Sequence, residues 1–114
     1  MGSEKGMVSG NTSMLLLQLL TEKEMYGYEM IETLRQRSDD VFELKAGTLY
    51  PLLHSLESQG FLISYEKEFQ GKMRKYYQIT KQGQKHLRKR IEEWNTYSEA
   101  VSHVLGGMAV YGVG

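Results

Sequence analysis

Apolar residues recur at helical spacing in three segments of the first half of the chain. Residues 14–20 are apolar almost all round, whereas in 25–37 small or apolar residues fall at positions i, i+3, i+4 and i+7. The same spacing returns in 46–59, with Leu49, Leu52, Leu53 and Leu56. These patterns predict three helices, of which the first is short and mostly buried.

Residues with special backbone preferences set the expected helix ends. Thr12 and Ser13 are candidate N-caps of the first helix, which leaves the polar residues 1–11 as a flexible arm. Gly60 is placed to end the third helix in the left-handed conformation. Gly27, on the core face of the second helix, would let another backbone come close.

Two runs of β-forming residues follow the third helix. Phe61–Lys67 and Lys75–Thr80 are predicted strands, and the turn between them, Phe69–Lys72, contains a glycine. We expect a hairpin whose basic tip reaches away from the body of the domain.

The last predicted helix runs from about Lys81 to Leu105 and is capped by Thr80. At 1.5 Å per residue it would extend roughly 35–40 Å, longer than a domain of this size requires. Its seam, in steps of four and three, consists of Leu87, Ile91, Trp94, Ser98, Val101 and Leu105. This pattern favours a dimer interface between paired helices, and packing against the same chain is the alternative. The glycine-rich residues 106–114 are expected to be a flexible tail.

Charge is unevenly distributed in this chain of 114 residues, which is long enough for one domain. The 14 basic and 14 acidic residues cancel. Between Phe69 and Ile91, however, there are eight basic residues and no acidic one. Such a segment favours contact with a polyanion, and the alternative is a solvated helix face beside a turn.

The predicted order of helix, helix, helix, strand, strand, helix is that of a winged helix-turn-helix. The fold class is therefore mainly α with a small β-hairpin (α+β), followed by a long C-terminal dimerisation helix. We expect the winged-helix domain to cover 12–80 and the dimerisation helix to cover 81–105.

The third helix would bind double-stranded DNA through its outer face. Its candidate DNA-binding residues are Lys45, Thr48, Tyr50 and His54. Hydroxyl groups suit phosphate oxygens, and a histidine can reach a base edge. The alternatives are a Tyr50 ring half buried against the wing and a His54 that is merely exposed.

The wing adds the candidate DNA-binding residues Lys72, Arg74 and Lys75. Cations at this place can neutralise phosphates or enter the minor groove. Because side chains alternate along a strand, Arg74 and Lys75 should point to opposite faces. The basic residues of the last helix either flank the DNA or solvate that helix, and we favour solvation for Lys81, Lys85, Arg88 and Lys89.

Three motifs resemble those of a known family. They are the run GTLYPLL at 47–53 with the glutamate and glycine that follow it, the run RKYYQIT at 74–80 with Gly83, and YGYE at 26–29. In this order, over about residues 12–105, the chain resembles the PadR family of transcription regulators in its short form. Met73 departs from the proline or basic residue that is frequent at its place in the wing.

The resemblance implies a homodimeric repressor of transcription that binds an operator. In short members that sense drugs, a tryptophan of the last helix lines a pore at the dimer interface, and Trp94 matches that position. A small planar aromatic or cationic ligand at Trp94 is therefore implied. The alternatives are a tryptophan that only fills the interface, a regulator without ligand, and a winged-helix module that binds another protein.

Other classes of protein find no support in the sequence. There is no cysteine, the histidines lack metal-ligand spacing, and no glycine-rich phosphate loop precedes a helix. We expect no enzyme activity, no catalytic residue, no metal site and no cofactor. No apolar run is long enough for a membrane span and no signal peptide is present, so we expect a cytoplasmic protein.

Overall fold

The computed structural model describes the backbone of residues 2–106 and the side chains of residues 11–106. The elements in chain order are α1 (Gly2–Glu22), β1 (Met25–Tyr26), α2 (Gly27–Arg37), α3 (Ala46–Ser58), β2 (Leu62–Phe69), β3 (Lys72–Ile79) and α4 (Lys81–Val104). Of the predicted tail, all but Gly106 lies outside the described residues.

The three strands form an antiparallel sheet in the order β1-β3-β2. The hairpin of β2 and β3 closes through only two residues, Gln70 and Gly71, whose φ angles are 52° and 79°. Two consecutive positive φ angles are those of a type I′ turn, which matches the twist of paired strands. This hairpin is the wing, and it pairs in register from Leu62 opposite Ile79 to Phe69 opposite Lys72.

One apolar core joins the helices to the sheet. Its residues come from all four helices and all three strands: Leu16, Leu17, Leu19, Leu20, Met25, Met30, Leu34, Leu49, Leu53, Leu56, Leu62, Tyr77 and Leu87. Each fully buried side chain of this size contributes about 1.5–3 kcal/mol relative to its exposed state. The predicted leucine face of α3 is confirmed for Leu49, Leu53 and Leu56, which are at most 3% exposed.

The joint between α3, the wing and α4 is fixed by backbone geometry. Gly60 has a φ of 85°, and the next amide, of Phe61, donates to the Leu56 carbonyl at 2.9 Å, so the predicted left-handed cap is confirmed. The predicted cap of α4 is also confirmed. The Thr80 hydroxyl accepts from the Gly83 amide at 2.9 Å and donates to the Gly60 carbonyl at 2.7 Å.

The first helix is longer than the sequence suggested. It begins at Gly2, so the predicted flexible arm at residues 1–11 is wrong from residue 2 onwards. Thr12 and Ser13 lie inside the helix and do not cap it, and Thr12 is 6% exposed. The helix that contains these residues packs against α4, and tertiary contacts can outweigh weak local helix propensity.

The strand β1 was not predicted, because two residues are too few to show an alternating pattern. Met25 and Tyr26 pair with Tyr77 and Tyr76, so the second helix begins at Gly27 instead of at Met25. The wing strands are each longer toward the turn than predicted, since β2 extends to Phe69 and β3 begins at Lys72.

Two residues of the predicted dimer seam on α4 pack against the core of the same chain. Leu87 is 4% exposed and belongs to the core, and Ile91 packs against that core. The prediction that Leu87 lies in a dimer interface is therefore wrong. Beyond Ile91 the seam is more open, with Trp94 at 42% and Leu105 at 54% exposed.

The fold class is confirmed as α+β, with a three-stranded sheet in place of the predicted two-stranded hairpin. Within the described residues, no helix combines the length and the apolar character that a membrane crossing requires.

Substituting Gly83 by alanine should destabilise the protein, because the added methyl group would overlap the Phe61 carbonyl oxygen. We expect a loss of roughly 1–3 kcal/mol in the free energy of unfolding, measured by urea titration at fixed protein concentration. Gly47→Ala is the matched control, since that Cβ meets no atom within 4 Å and alanine favours a helix. Equal stability of the two variants would contradict this description of the joint.

Candidate nucleic-acid interface

The outer face of α3 is exposed and carries no acidic side chain. Thr48, Tyr50 and His54 are exposed on it, and Lys45 lies at its N-cap. Glu57, at the edge of this face, accepts a hydrogen bond of 2.6 Å from the Ser64 hydroxyl and so is held toward the sheet. The four predicted residues of α3 are therefore together on one uncharged or basic surface.

Tyr50 contacts α2 in addition to facing solvent. Its phenol oxygen lies so close to Gly27 that a Cβ on this glycine would overlap the ring end. The expectation that another backbone approaches Gly27 is therefore wrong, because the approaching group is the Tyr50 side chain. The ring is 42% exposed and lies at the junction of α2 and α3, where the absence of a side chain at Gly27 makes room for it.

The wing has two different faces, and the prediction that Arg74 and Lys75 point to opposite sides is confirmed by the strand register. One face, which we call the core face, carries Lys75 beside the buried Tyr77. The other, the outer face, carries Arg74 and Tyr76.

Arg74 is held by aromatic rings on the outer face. Its guanidinium carbon lies 4.5 Å from the Tyr26 ring centroid and 5.9 Å from that of Phe69. Its Nε is buried without a hydrogen-bond partner among the described residues. Cation–π contacts of this kind hold a guanidinium in place while it keeps its charge. Arg74 thus braces the wing against β1.

Glu24 is the centre of a polar cluster on the same outer face. It lies between α1 and β1 and accepts hydrogen bonds from Lys67 at 2.8 Å, from Gln78 at 2.9 Å and from the Tyr65 hydroxyl. These bonds, that from Lys67 most of all, lower the pKa of the Glu24 carboxyl to about 2. The bond to Glu24 also raises the pKa of the Tyr65 phenol, which keeps it a donor.

Sequence reasoning missed Glu24, Tyr26 and Tyr65, because their partners lie about 40 residues or more away along the chain. The one local signal is the alternation of Tyr65 and Lys67, which places both on one face of a strand.

Strand pairing changes the charge of the wing. Glu66 lies opposite Lys75 and Glu68 opposite Met73, and both carboxylates are exposed on β2. Lys67 is paired with Glu24 and Arg74 stacks on aromatic rings. The wing is therefore much less basic than the segment Phe69–Ile91 suggested, and Lys72 and Lys75 are its exposed cations that form no ion pair among the described residues.

The C-terminal half of α4 presents aromatic and acidic side chains. Trp94 and Tyr97 are 42% and 53% exposed, and their ring centroids are 6.1 Å apart. An open groove of about 550 Å³ runs beside them and is lined by Lys89, Glu92, Glu93, Thr96, Tyr97 and Ala100. Trp94 itself adjoins this groove through Tyr97 without lining it.

An exposed third helix beside a β-hairpin, with a tight turn at the hairpin tip, defines a winged helix-turn-helix DNA-binding protein. The model of the transcriptional regulator PadR-like family matches residues 16–89. The chain belongs to this family, whose members are DNA-binding transcriptional regulators and not enzymes.

Known relatives cover nearly the whole chain. A transcriptional regulator of Mycobacterium tuberculosis is 30% identical over 94 residues, which is 82% of each protein. A solved transcriptional regulator from Clostridium thermocellum is 32% identical, with a TM-score of 0.80 over 86% of this chain and 93% of that one. A PadR family regulator from Eggerthella lenta is 35% identical, with a TM-score of 0.76 over 91% of this chain and 89% of that one.

The low pKa of Glu24 predicts an acid-sensitive contribution to stability. A carboxyl whose folded pKa is lowered stabilises the fold above its unfolded pKa of about 4.5, and this contribution is lost as the pH falls toward about 2. Glu24→Gln should therefore be less stable than the wild type near neutral pH, and the difference should shrink below about pH 4.5. Urea unfolding from about pH 6 to about pH 3 measures it. Glu66→Gln is the control, and a pH-independent difference for Glu24→Gln would contradict the assignment.

Proposed function

We propose that the chain is a homodimeric repressor whose binding to an operator is modulated by a small planar ligand between the subunits. The observation that carries this proposal is the division of the molecule into two surfaces. One is the acid-free face of α3 beside the wing, and the other is the exposed aromatic half of α4.

The proposed DNA contacts begin on α3, which would lie in the major groove. Lys45 and Thr48 are placed to contact phosphates at the start of the helix, and His54 lies on the same exposed face, one to two turns further on. The edge of the Tyr50 ring would add a further contact to the DNA, and packing against Gly27 keeps this ring in position. Phosphate contacts fix the register of a protein on DNA, whereas base contacts provide specificity.

In the wing, the proposed contacts are unequal. Lys72 and Lys75 are exposed and are the residues expected to approach the phosphates. Arg74 is half-buried between aromatic rings, so its main role is to keep the hairpin in place. Only the exposed edge of its guanidinium could approach a phosphate. The exposed Glu66 and Glu68 limit how closely the core face of the wing can approach the phosphates.

The proposed dimer uses the part of α4 that lies beyond the core. Val104 and Leu105 are 86% and 54% exposed, and Trp94 is 42% exposed. An exposed apolar stripe on a long helix usually marks an interaction surface. A second copy of the same helix would cover it symmetrically. Trp94, Val101 and Leu105 are the proposed interface residues that remain, with Ile91 at the margin.

The proposed ligand site is formed by Trp94 together with Tyr97. Two aromatic rings offer faces to a planar compound, and the adjoining groove favours a positively charged one, because its two carboxylates, Glu92 and Glu93, outnumber its one cation, Lys89. Such a ligand would act by shifting a population. It would favour one angle between the subunits and so change the fit of two recognition helices to half-sites about 34 Å apart.

DNA binding is tested by fluorescence anisotropy with labelled duplexes from upstream of the chain's own coding sequence, across a salt series. We expect selective binding with a steep salt dependence. Lys75→Ala should weaken binding and reduce the slope of log K against log salt by about one. Lys85→Ala is the control on α4, since it removes the same charge from an exposed residue that is expected to contact only solvent. Equal losses in both variants would show that Lys75 has no special role.

Ligand binding is tested by titrating a planar cationic dye such as ethidium. We expect saturable quenching of Trp94, the single tryptophan, with one dye per two chains. Trp94→Phe should bind the dye more weakly when the dye's own emission is followed, and Lys75→Ala should bind it as the wild type does. Sedimentation of a monomer at the working concentration would contradict the dimer, and unaltered Trp94 emission would contradict the ligand site.

A further inference from the structure

We propose that Glu24 is a positioning residue for DNA binding: with its partners Tyr65, Lys67 and Gln78 it fixes the angle of the wing against the helix-turn-helix without contacting the DNA. This inference rests on the proposed contact of the wing with DNA phosphates. It concerns residues that neither the motifs nor the charge pattern of the sequence indicated.

The geometry of the Glu24 cluster supports this role. The single carboxylate receives donors from both strands of the wing: Tyr65 and Lys67 on β2, and Gln78 on β3. Its side chain is 25% exposed, so water competes only partly for these bonds. A group that binds both strands of a hairpin limits their movement as a unit.

Glu24 lies at the point of the chain where the wing meets the start of the helix-turn-helix. The residue immediately precedes β1, and Tyr26 at the end of β1 is the N-cap of α2. The carboxylate therefore ties the wing to the backbone that starts the helix-turn-helix. Arg74 on the Tyr26 ring forms a second tie from β3 to the same short segment, at 4.5 Å. A shift of the wing relative to this segment, and to the helix that it starts, must break one or both ties.

The ion pair with Glu24 also determines whether Lys67 can contact DNA. The Lys67 ammonium is ion-paired with Glu24 at 2.8 Å and lies 4.9 Å from the Tyr76 ring centroid. The Lys67 charge therefore stabilises the wing and is not available to the DNA. Removing the Glu24 charge would release the Lys67 ammonium for contact with a DNA phosphate, which would strengthen binding. Loss of the wing's position would instead weaken binding. The two effects therefore predict opposite changes in DNA affinity for the same substitution.

The test compares Glu24→Gln with Glu66→Gln, which removes the same charge from an exposed carboxylate on the core face of β2. If only charge matters, both variants bind DNA more tightly than the wild type. If Glu24 positions the wing, Glu24→Gln binds about three- to tenfold more weakly, whereas Glu66→Gln binds equally or more tightly. Binding is measured with the best of the upstream duplexes.

Tyr65→Phe is the second variant, because it removes one hydrogen bond to Glu24 without any change of charge. We expect it to weaken binding in the same direction. The slope of log K against log salt should also fall in both variants, by about one for each phosphate contact that a displaced wing loses. A variant that merely contains less folded protein would keep the wild-type slope. Thermal unfolding identifies a Glu24→Gln variant that does not fold, and Tyr65→Phe then decides.

Tight binding by Glu24→Gln, or wild-type affinity and slope in Tyr65→Phe, would overturn the proposal. Failure of the wild type to prefer any upstream duplex would instead count against the proposed operator. In that event the same variants are compared on an unrelated duplex, because phosphate contacts of the wing are independent of sequence.

Discussion

The pairing of a two-residue strand with the wing is the contact on which the rest of the structure depends. Met25 and Tyr26 join β3 through Tyr77 and Tyr76, and the same two residues lead directly into α2. Met25 is 3% exposed in the core, while Tyr26 is the N-cap of α2 and supports Arg74. The wing and the helix-turn-helix therefore share one stretch of backbone. Isolated two-stranded hairpins are only marginally stable, so this third strand helps to fix the position of the wing.

The charged residues on the two faces of the wing have different roles. On the outer face, Lys67 and Arg74 are bound to Glu24 and to aromatic rings, and their charges stabilise the hairpin. On the core face and at the tip, Lys75 and Lys72 are exposed and available to an anion. The number of basic residues in a segment is thus a poor measure of how many can contact DNA, because partners from other segments occupy some of them.

Most of the proposed DNA-binding face could be predicted, and most of its support could not. The exposed side of α3 follows from the leucine spacing of the helix itself, which fixes both faces at once. The cluster around Glu24 could not be found in this way, because Tyr65 and Gln78 are 41 and 54 residues away. The acidic residues Glu66 and Glu68 enter the basic segment only through antiparallel pairing. Leu87 fits a heptad seam equally well whether the partner is another chain or its own core.

The sequence by itself determined the order of the four helices and the two wing strands, the core face of α3, the caps at Gly60 and Thr80, and the family. The elements, the core face and the caps depend on residues that are close together in the chain, where local sterics and periodicity act, and the family depends on short motifs in a fixed order. Only the tertiary structure decided where α1 begins, that β1 exists, which half of α4 stays exposed, and which cations of the wing are free. These properties depend on contacts between distant segments, and the free energy of such contacts outweighs local preference without leaving a local pattern.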